Sequence, residues 1–474
     1  MADFDKISIN GTYYNVKDSA LTAAVNALTS EVGEVQETVT QQGQTIQQHG
    51  QSIQQQGQQI ADIEAEVKNT PWTTPEIYGA KGDGVTDDSA AFTQMFASGL
   101  SIILTAGKTY LLKNPVTANN NVYMLGNGAT INVDRALIQS PNVQRLTFNG
   151  KYTHIENVNF TANASTSQWA TDVAAMYAAY VINSKGRVCE VVGCTFTSIW
   201  GYAIRVENAD TALVSDCVFD KVGGHYKQNN EFDMFGDCVW LGTTDKLQHA
   251  KITNCTMSGL VNGTTLSRCA VVLEFSASLP RYVSISGCTI ANYDRTIHAE
   301  NVQDAYISVD ACQITNTNVF AFATSVGTGS TISFRDCYIQ TTGNDYSGTR
   351  GARGFAKMAF TNCSINYGGP LVWSLTSQLP SITFKNCYIL ANLRGSATAS
   401  PILDNGNGRI TFVNTWFEAL TNQLGTLVPS GVTVLVENSV LAAGAQSWSG
   451  TITTLHAICS DITGVTGFKI ATFA

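Results

Sequence analysis

The sequence predicts an all-β chain: a parallel β-helix with three strands per coil, behind an N-terminal α-helical coiled coil expected to be trimeric. Three observations predict it. A six-residue motif recurs from residue 155 to residue 441, eight cysteines occupy one position of that motif, and aliphatic residues return at every seventh position from Val25 to Val67.

At 474 residues the chain can bury a large core, and an elongated fold can spend that length along one axis. The net charge of -9 and a charged fraction of 13% argue against nucleic acid or an anionic membrane, both of which select for basic faces. A polyhydroxylated partner is compatible with both values. The opening "MADFDKISIN" is acidic where a signal peptide is basic and then apolar, so export by the usual route and membrane insertion are not expected.

Residues 1–20 contain "ISINGTYYNVKDSA", whose Asn-Gly pair between short alternating runs predicts a hairpin. The segment is expected to act as an adaptor. Over 21–68, Val25, Val32, Val39, Ile46, Ile53, Ile60 and Val67 form the a positions of a coiled coil. Leu21, Leu28, Val35, Gln42, His49, Gln56 and Ile63 form the d positions. Three successive polar d residues suit a shared polar layer, which favours a parallel trimer over a dimer. Gly43, Gly50 and Gly57 each cost the helix about 1 kcal/mol relative to Ala.

Residues 69–77, "NTPWTTPEI", read as a linker, and short β runs with Asn, Gly and Asp turns follow. Among them lie "IENVNF" (155), "VVGCTF" (191), "VSDCVF" (214), "ITNCTM" (252), "ISGCTI" (285), "VDACQI" (309), "FRDCYI" (334), "FTNCSI" (360), "FKNCYI" (384), "FVNTWF" (412) and "VENSVL" (436). Such self-similarity marks a solenoid, whose repeats bury their apolar faces by stacking. The steps Cys194–Cys217, Cys288–Cys312, Cys312–Cys337, Cys337–Cys363 and Cys363–Cys387 are 23, 24, 25, 26 and 24 residues. Helical repeats need about 33 residues or more and a 3.6 period, so a three-stranded β coil fits. Cys194, Cys217, Cys255, Cys288, Cys312, Cys337, Cys363 and Cys387 should form an inward ladder of reduced thiols, because a small buried hydrophobe meets the packing need without a bridge.

Three steps are longer: Val158 to Cys194 is 36 residues, Cys217 to Cys255 is 38 and Cys255 to Cys288 is 33. Consecutive coils with extra residues place loops along one side of the solenoid, where they wall a groove.

The stretch "YGAKGDGVTDDSAAF" (78–92) predicts a turn at Gly82 to Gly84, Asp87 or Asp88 as an N-cap, and a helix burying Phe92, Met95 and Phe96. It lacks the Gly-Lys-Ser/Thr of a P-loop and the twelfth-position Glu of an EF-hand. A β-helix has an open end to cover, so residues 78–112 are expected to be a cap with first strands. The β-helix proper should run over 113–440, and 441–474 should form terminal coils.

"IYGAKGDGVTDDSAAF" followed by "SIILTAGKTYLL" resembles the opening of the pectate-lyase-like right-handed β-helix superfamily, which includes polygalacturonases and bacteriophage tailspike depolymerases. The resemblance implies a right-handed β-helix over most of residues 75–460. Adaptor, coiled coil and β-helix together resemble a phage tailspike or tail appendage. That implies a homotrimer on a virion, attached to tail or baseplate proteins through residues 1–20 and facing a host surface polysaccharide.

Glycosidic cleavage needs two carboxylates beside the bond. Aligning "YAIRVEN" (202), "DCVWLGT" (237), "CAVVLEF" (269) and "RTIHAEN" (295) places Ile204, Val239, Val271 and Ile297 inward. Arg205, Trp240, Val272 and His298 then face outward, followed two residues on by Glu207, Gly242, Glu274 and Glu300. Glu274 and Glu300 become candidate catalytic acids about 5 Å apart, with Glu207 two rungs from Glu274 at about 10 Å. Arg205, Glu207, His298 and Arg295 are candidate substrate contacts, Trp240 a sugar-stacking face, and Gly242 the residue that leaves room.

"GDCV" followed by "KITNCTMSG" resembles the polygalacturonase stretch with a catalytic Asp pair before a Cys, which implies a role for Asp237. The second Asp of that pair is missing, and the family's His-containing and Arg-Lys motifs have no counterpart in "GLVNGTT" or "DRTIHAE". Asp233 joins Asp237 as a groove acid, and Tyr226 is a further substrate-contact candidate in the same insertion. No His, Cys and carboxylate spacing suggests zinc, and no cofactor is expected. Two readings result: a tailspike that depolymerises a host surface polysaccharide, and a non-catalytic receptor-binding or structural fibre on the same fold. A free-standing pectinase is a distant third.

Overall fold

The computed structural model describes residues 6–9, 12–15, single positions between 29 and 58, and then 71–133, 143–163, 179–224, 236–242, 248–263, 265–276, 280–324, 326–327, 329–341, 352–367, 372–373, 381–391, 409–419, 433–442, 454–458 and 470–471. The chain divides into two units, Met1–Glu66 and Val67–Ala474.

In the first unit, Lys6–Ile9 pairs antiparallel with Thr12–Asn15, and Ile9 faces Thr12 across the Asn-Gly turn. The described positions between Thr29 and Gln58 are helical. Of the heptad positions only Val32 falls among them, and it is exposed.

The second unit consists of three long sheets, of 16, 14 and 11 strands. Between Trp72 and Ala442 the strands that form the coils fall in different sheets from their chain neighbours, and within each sheet a strand pairs in parallel with the strand one coil away. From Val116 to Ala391 each coil therefore passes once through all three sheets, the three-strand solenoid that the motif spacing predicts; the described strands of this unit before and after lie in the 16- and 14-stranded sheets. One antiparallel addition, Val261–Asn262, pairs with the strand Thr265–Ser276 at the 11-stranded sheet.

The motif residue before each cysteine position makes the corner between the 16- and 14-stranded sheets. Asn157, Gly193, Asp216, Asn254, Gly287, Ala311, Asp336, Asn362, Asn386, Asn414 and Asn438 all have φ between 45° and 63°. Only Gly, and to a lesser degree Asn and Asp, adopt this left-handed conformation cheaply, which explains the residue choice. Ala311 is the exception. The amides also bond along the axis: Asn386 Nδ2 donates to Asn362 Oδ1 at 3.1 Å, Asn414 to Asn386 at 3.2 Å and Asn438 to Asn414 at 2.7 Å.

The cysteines that follow point inward. All eight ladder cysteines are buried and free, and most donate to a carbonyl two residues back, as Cys217 does to Ser215 at 3.2 Å. Above them run ring stacks: Phe160, Phe196 and Phe219, and farther along Phe334, Phe360, Phe384 and Phe412, with successive centroids 4.8 to 5.3 Å apart. That spacing is the interstrand distance of the sheets.

The helix Ser89–Ala97 closes the N-terminal end. Phe92, Met95 and Phe96 are buried, and Phe96 meets Phe148 edge-on at 5.7 Å. The two aspartates divide the work. Asp88 stands at the N-cap, but its carboxylate accepts the Lys81 and Gly82 amides at 2.7 and 3.1 Å, while Asp87 Oδ1 accepts the Ser89 amide at 3.0 Å.

Candidate functional site

Four strands of the 11-stranded sheet carry the acids, Gly201–Glu207, Asp237–Gly242, Thr265–Ser276 and Tyr293–Val302, and Val319–Thr324 flanks the last of them. Arg205, Trp240, Val272, His298 and Phe322 pair in one row. Glu207, Gly242, Glu274, Glu300 and Thr324 pair in the next. Ile204, Val239, Val271 and Ile297 are in the core. The rows are those of the sequence alignment, because the cysteine motif sets the phase of every coil.

Glu274 and Glu300 are held by different donors. The Trp240 indole N–H donates to Glu274 Oε2 at 2.8 Å. Burial pushes the Glu274 carboxyl above the usual carboxylate range, partly offset by that bond. Glu300 Oε2 lies 3.0 Å from His298 Nε2, and this bond, the largest influence, holds its carboxyl below the usual range. Arg295 Nη1 approaches His298 Nδ1 at 3.4 Å. A guanidinium only donates, so Nδ1 is the acceptor and the ring proton sits on Nε2, facing Glu300. Burial pushes His298 down to about 4, which keeps the ring neutral.

Trp240 does not present a face to solvent. It is 4% exposed and packs with Tyr202, Cys269 and Val272 in a small apolar cluster apart from the main core. The Arg205 guanidinium carbon lies 4.4 Å from the indole centroid, a cation–π distance. The ring folds over Gly242, where a Cβ would stand 1.9 Å from it. Gly242 makes room, as expected, but for Trp240. The indole is a strut under Glu274, and the sugar-stacking expectation is corrected accordingly.

Asp237 is likewise corrected. Its side chain is fully buried, and Arg268 Nη1 donates to both of its carboxylate oxygens, at 3.1 and 2.9 Å. Burial, opposed by Arg268, pushes it up to about 6, so near neutral pH it is an ionised member of a structural pair with no surface for substrate. His298 is 2% exposed and turns its Nε2 to Glu300. Asp233 and Tyr226 lie outside the described residues.

The accessible groups are Glu300, Arg205 and Glu207, with side chains 33%, 21% and 21% exposed, together with the half-buried Glu274. Arg205 Nη2 bridges Glu207 at 3.0 Å, and Arg295 lies over the Phe322 ring at 3.8 Å. Sequence reasoning missed Arg268, and also Arg281, which is buried and donates from Nη2 to the Glu274 carbonyl at 2.7 Å and from Nη1 to Gln248 at 2.9 Å. Their signal was available: an Arg beside a strand that carries candidate acids. Among the described residues no group of three or more His, Cys, Asp and Glu could hold a metal ion, and no helix is long and apolar enough to cross a membrane.

The family described as adenovirus EB1 55K protein / large t-antigen matches residues 84–225. No curated protein matches the chain. Among solved structures, PfbA, a surface adhesin of Streptococcus pneumoniae, is similar at 12% identity and a TM-score of 0.50, covering 83% of this chain and 92% of its own. A tailspike protein mutant of E. coli bacteriophage HK620, solved in complex with pentasaccharide, is similar at 13% identity and a TM-score of 0.45, covering 84% and 80%. The family 28 exopolygalacturonase of Yersinia enterocolitica is similar at 12% identity and a TM-score of 0.44, covering 85% and 79%. Phage tailspikes and a polygalacturonase thus stand among the structural neighbours, and a likeness at this identity is one of fold alone.

Proposed function

We propose that this chain is a phage tail appendage that binds a host surface polysaccharide on the outward face of the 11-stranded sheet and hydrolyses it. One observation carries the reading. Glu274 and Glu300 occupy paired positions on adjacent rungs, one held by an indole N–H and the other by an imidazole N–H. Environments that push two neighbouring carboxyls in opposite directions separate an acid from a nucleophile.

In this reading Glu274, protonated more readily, gives its proton to the glycosidic oxygen as the bond to the anomeric carbon breaks. Glu300, kept ionised by His298, attacks that carbon and forms a glycosyl ester. Water, deprotonated by Glu274, then releases the sugar and restores both residues. Adjacent strands lie about 4.8 Å apart, which suits the short carboxyl separation of retaining enzymes, about 5–5.5 Å. Arg205, Glu207 and Arg295 are proposed to contact the chain on either side. The heptads of residues 21–68 support a homotrimer, and residues 1–20 are proposed to attach it to the virion.

The test is product chemistry. Incubation with capsule or O-antigen preparations should generate new reducing ends without the ultraviolet absorbance of an unsaturated uronate. Glycan binding without new ends of either kind would instead support the non-catalytic fibre.

A further inference from the structure

The 14-stranded sheet carries a feature that the acid pair does not use. In the row just after the cysteine ladder, Tyr338, Ser364, Tyr388 and Trp416 pair rung by rung. Tyr338, Tyr388 and Trp416 are 38%, 45% and 46% exposed, three of the large hydrophobic side chains left open to solvent among the described residues. Aromatic residues are no requirement of the position. In earlier coils the same row holds Thr256, Thr289 and Gln313.

The surroundings of the row indicate its partner. On one side run the exposed amides of Asn362, Asn386 and Asn414. Each uses one N–H and one oxygen lone pair in the axial ladder, so a second donor and a second acceptor remain for a ligand. On the other side stand Gln340, Asn366, Leu390 and Glu418. The aromatic strip is therefore one residue wide, and its borders are polar except at Leu390. A stable contact between protein copies needs about 800 Å² per partner around an apolar centre, which a single file of three rings does not provide. Nearby charges are mixed: Arg335 pairs with Asp310 at 2.8 Å, and Lys385 and Glu437 are both exposed. A polyanion or polycation finds no matching field.

We propose that this strip binds a linear glycan of little or no charge, lying along the β-helix axis and separate from the acid pair. Sugar rings present C–H faces to aromatic side chains and hydroxyls to amides, and the strip offers the two in parallel rows. Tyr388 and Trp416 are one rung apart and Tyr338 and Tyr388 two rungs, about 5 and 10 Å. The rings thus follow a polymer and do not close around one residue.

The experiment compares the full chain with a Tyr338→Ala/Tyr388→Ala/Trp416→Ala variant on an array of microbial polysaccharides, with sedimentation analysis of both. All three positions are exposed, so the variant should fold. The expected result is at least a tenfold loss of retention for the variant, unchanged oligomeric mass, and retention kept by Tyr338→Phe/Tyr388→Phe. Equal retention by parent and triple variant, or no retention of either, overturns the proposal. A lower oligomeric mass for the triple variant also overturns it and assigns the strip to contact between copies. The two proposals fail separately: loss of the acid-pair reading shows as missing reducing ends with binding intact, and loss of this one as unchanged retention.

Discussion

Trp240 and Glu274 are joined across neighbouring strands by an indole N–H to carboxylate bond of 2.8 Å, made over the open Cα of Gly242. Gly242→Ala would place a methyl group inside the ring and so displace it. Overpacking of this kind costs about 1–3 kcal/mol, to be measured by denaturant unfolding. Trp240→Phe keeps the packing and removes the donor. The Glu274 carboxyl should then titrate higher still, and the basic limb of the pH–rate profile should move to higher pH while the fold is retained.

Asp237 and Arg268 form a buried pair, so removing one partner strands the other's charge. Arg268→Met leaves the Asp237 carboxylate buried without its cation and should destabilise by about 3–5 kcal/mol near neutral pH. Replacing both partners with apolar residues of similar size should cost less than Arg268→Met alone. Equal stability of Arg268→Met and the parent would contradict the structural assignment.

His298 titrates at about 4 in the fold against about 6.5 when unfolded. A depressed pKa stabilises above the unfolded value and loses that contribution as pH falls, here between about 6.5 and 4, with a ceiling on the order of 3 kcal/mol. Asp237, raised to about 6, works in the opposite direction and loses stability as pH rises from about 4 to 6. The two nearly cancel in the parent. His298→Gln removes one of them, so the stability of the variant relative to the parent should rise as pH falls from 6 to 4, read from unfolding curves of both across that range.

Ala311 is the one corner residue of the motif without a side chain or backbone suited to its φ of 52°. Left-handed backbone costs an L-residue about 1–2 kcal/mol. Ala311→Gly or Ala311→Asn should raise the unfolding free energy by about 0.5–1 kcal/mol, measured as an increase in denaturant midpoint at unchanged slope.

Much of this fold is legible in the sequence because one physical requirement repeats. Each corner needs a left-handed residue and each interior position after it a small apolar one, so Asn-Cys and Asp-Cys mark the coils and fix the register of Glu274 with Glu300. The surroundings of the acids were less legible. Along these strands Tyr202 and Cys269 face the outer cluster, while Ala203 with Ile204, Cys238 with Val239 and Ala270 with Val271 face the core as consecutive pairs. This double inward step breaks the alternation on which strand reading depends, and it hid the pairing of Asp237 with Arg268. The turn of the Trp240 ring onto Gly242 depends on Arg205 and Tyr202, residues one coil away that no local pattern connects.

The most direct test of the central claim is the rate of reducing-end release from a susceptible surface polysaccharide by the parent, Glu274→Gln and Glu300→Gln at matched folded concentration. A loss of at least a hundredfold is expected for each variant, with glycan binding kept. Parent-like release by both variants would contradict it.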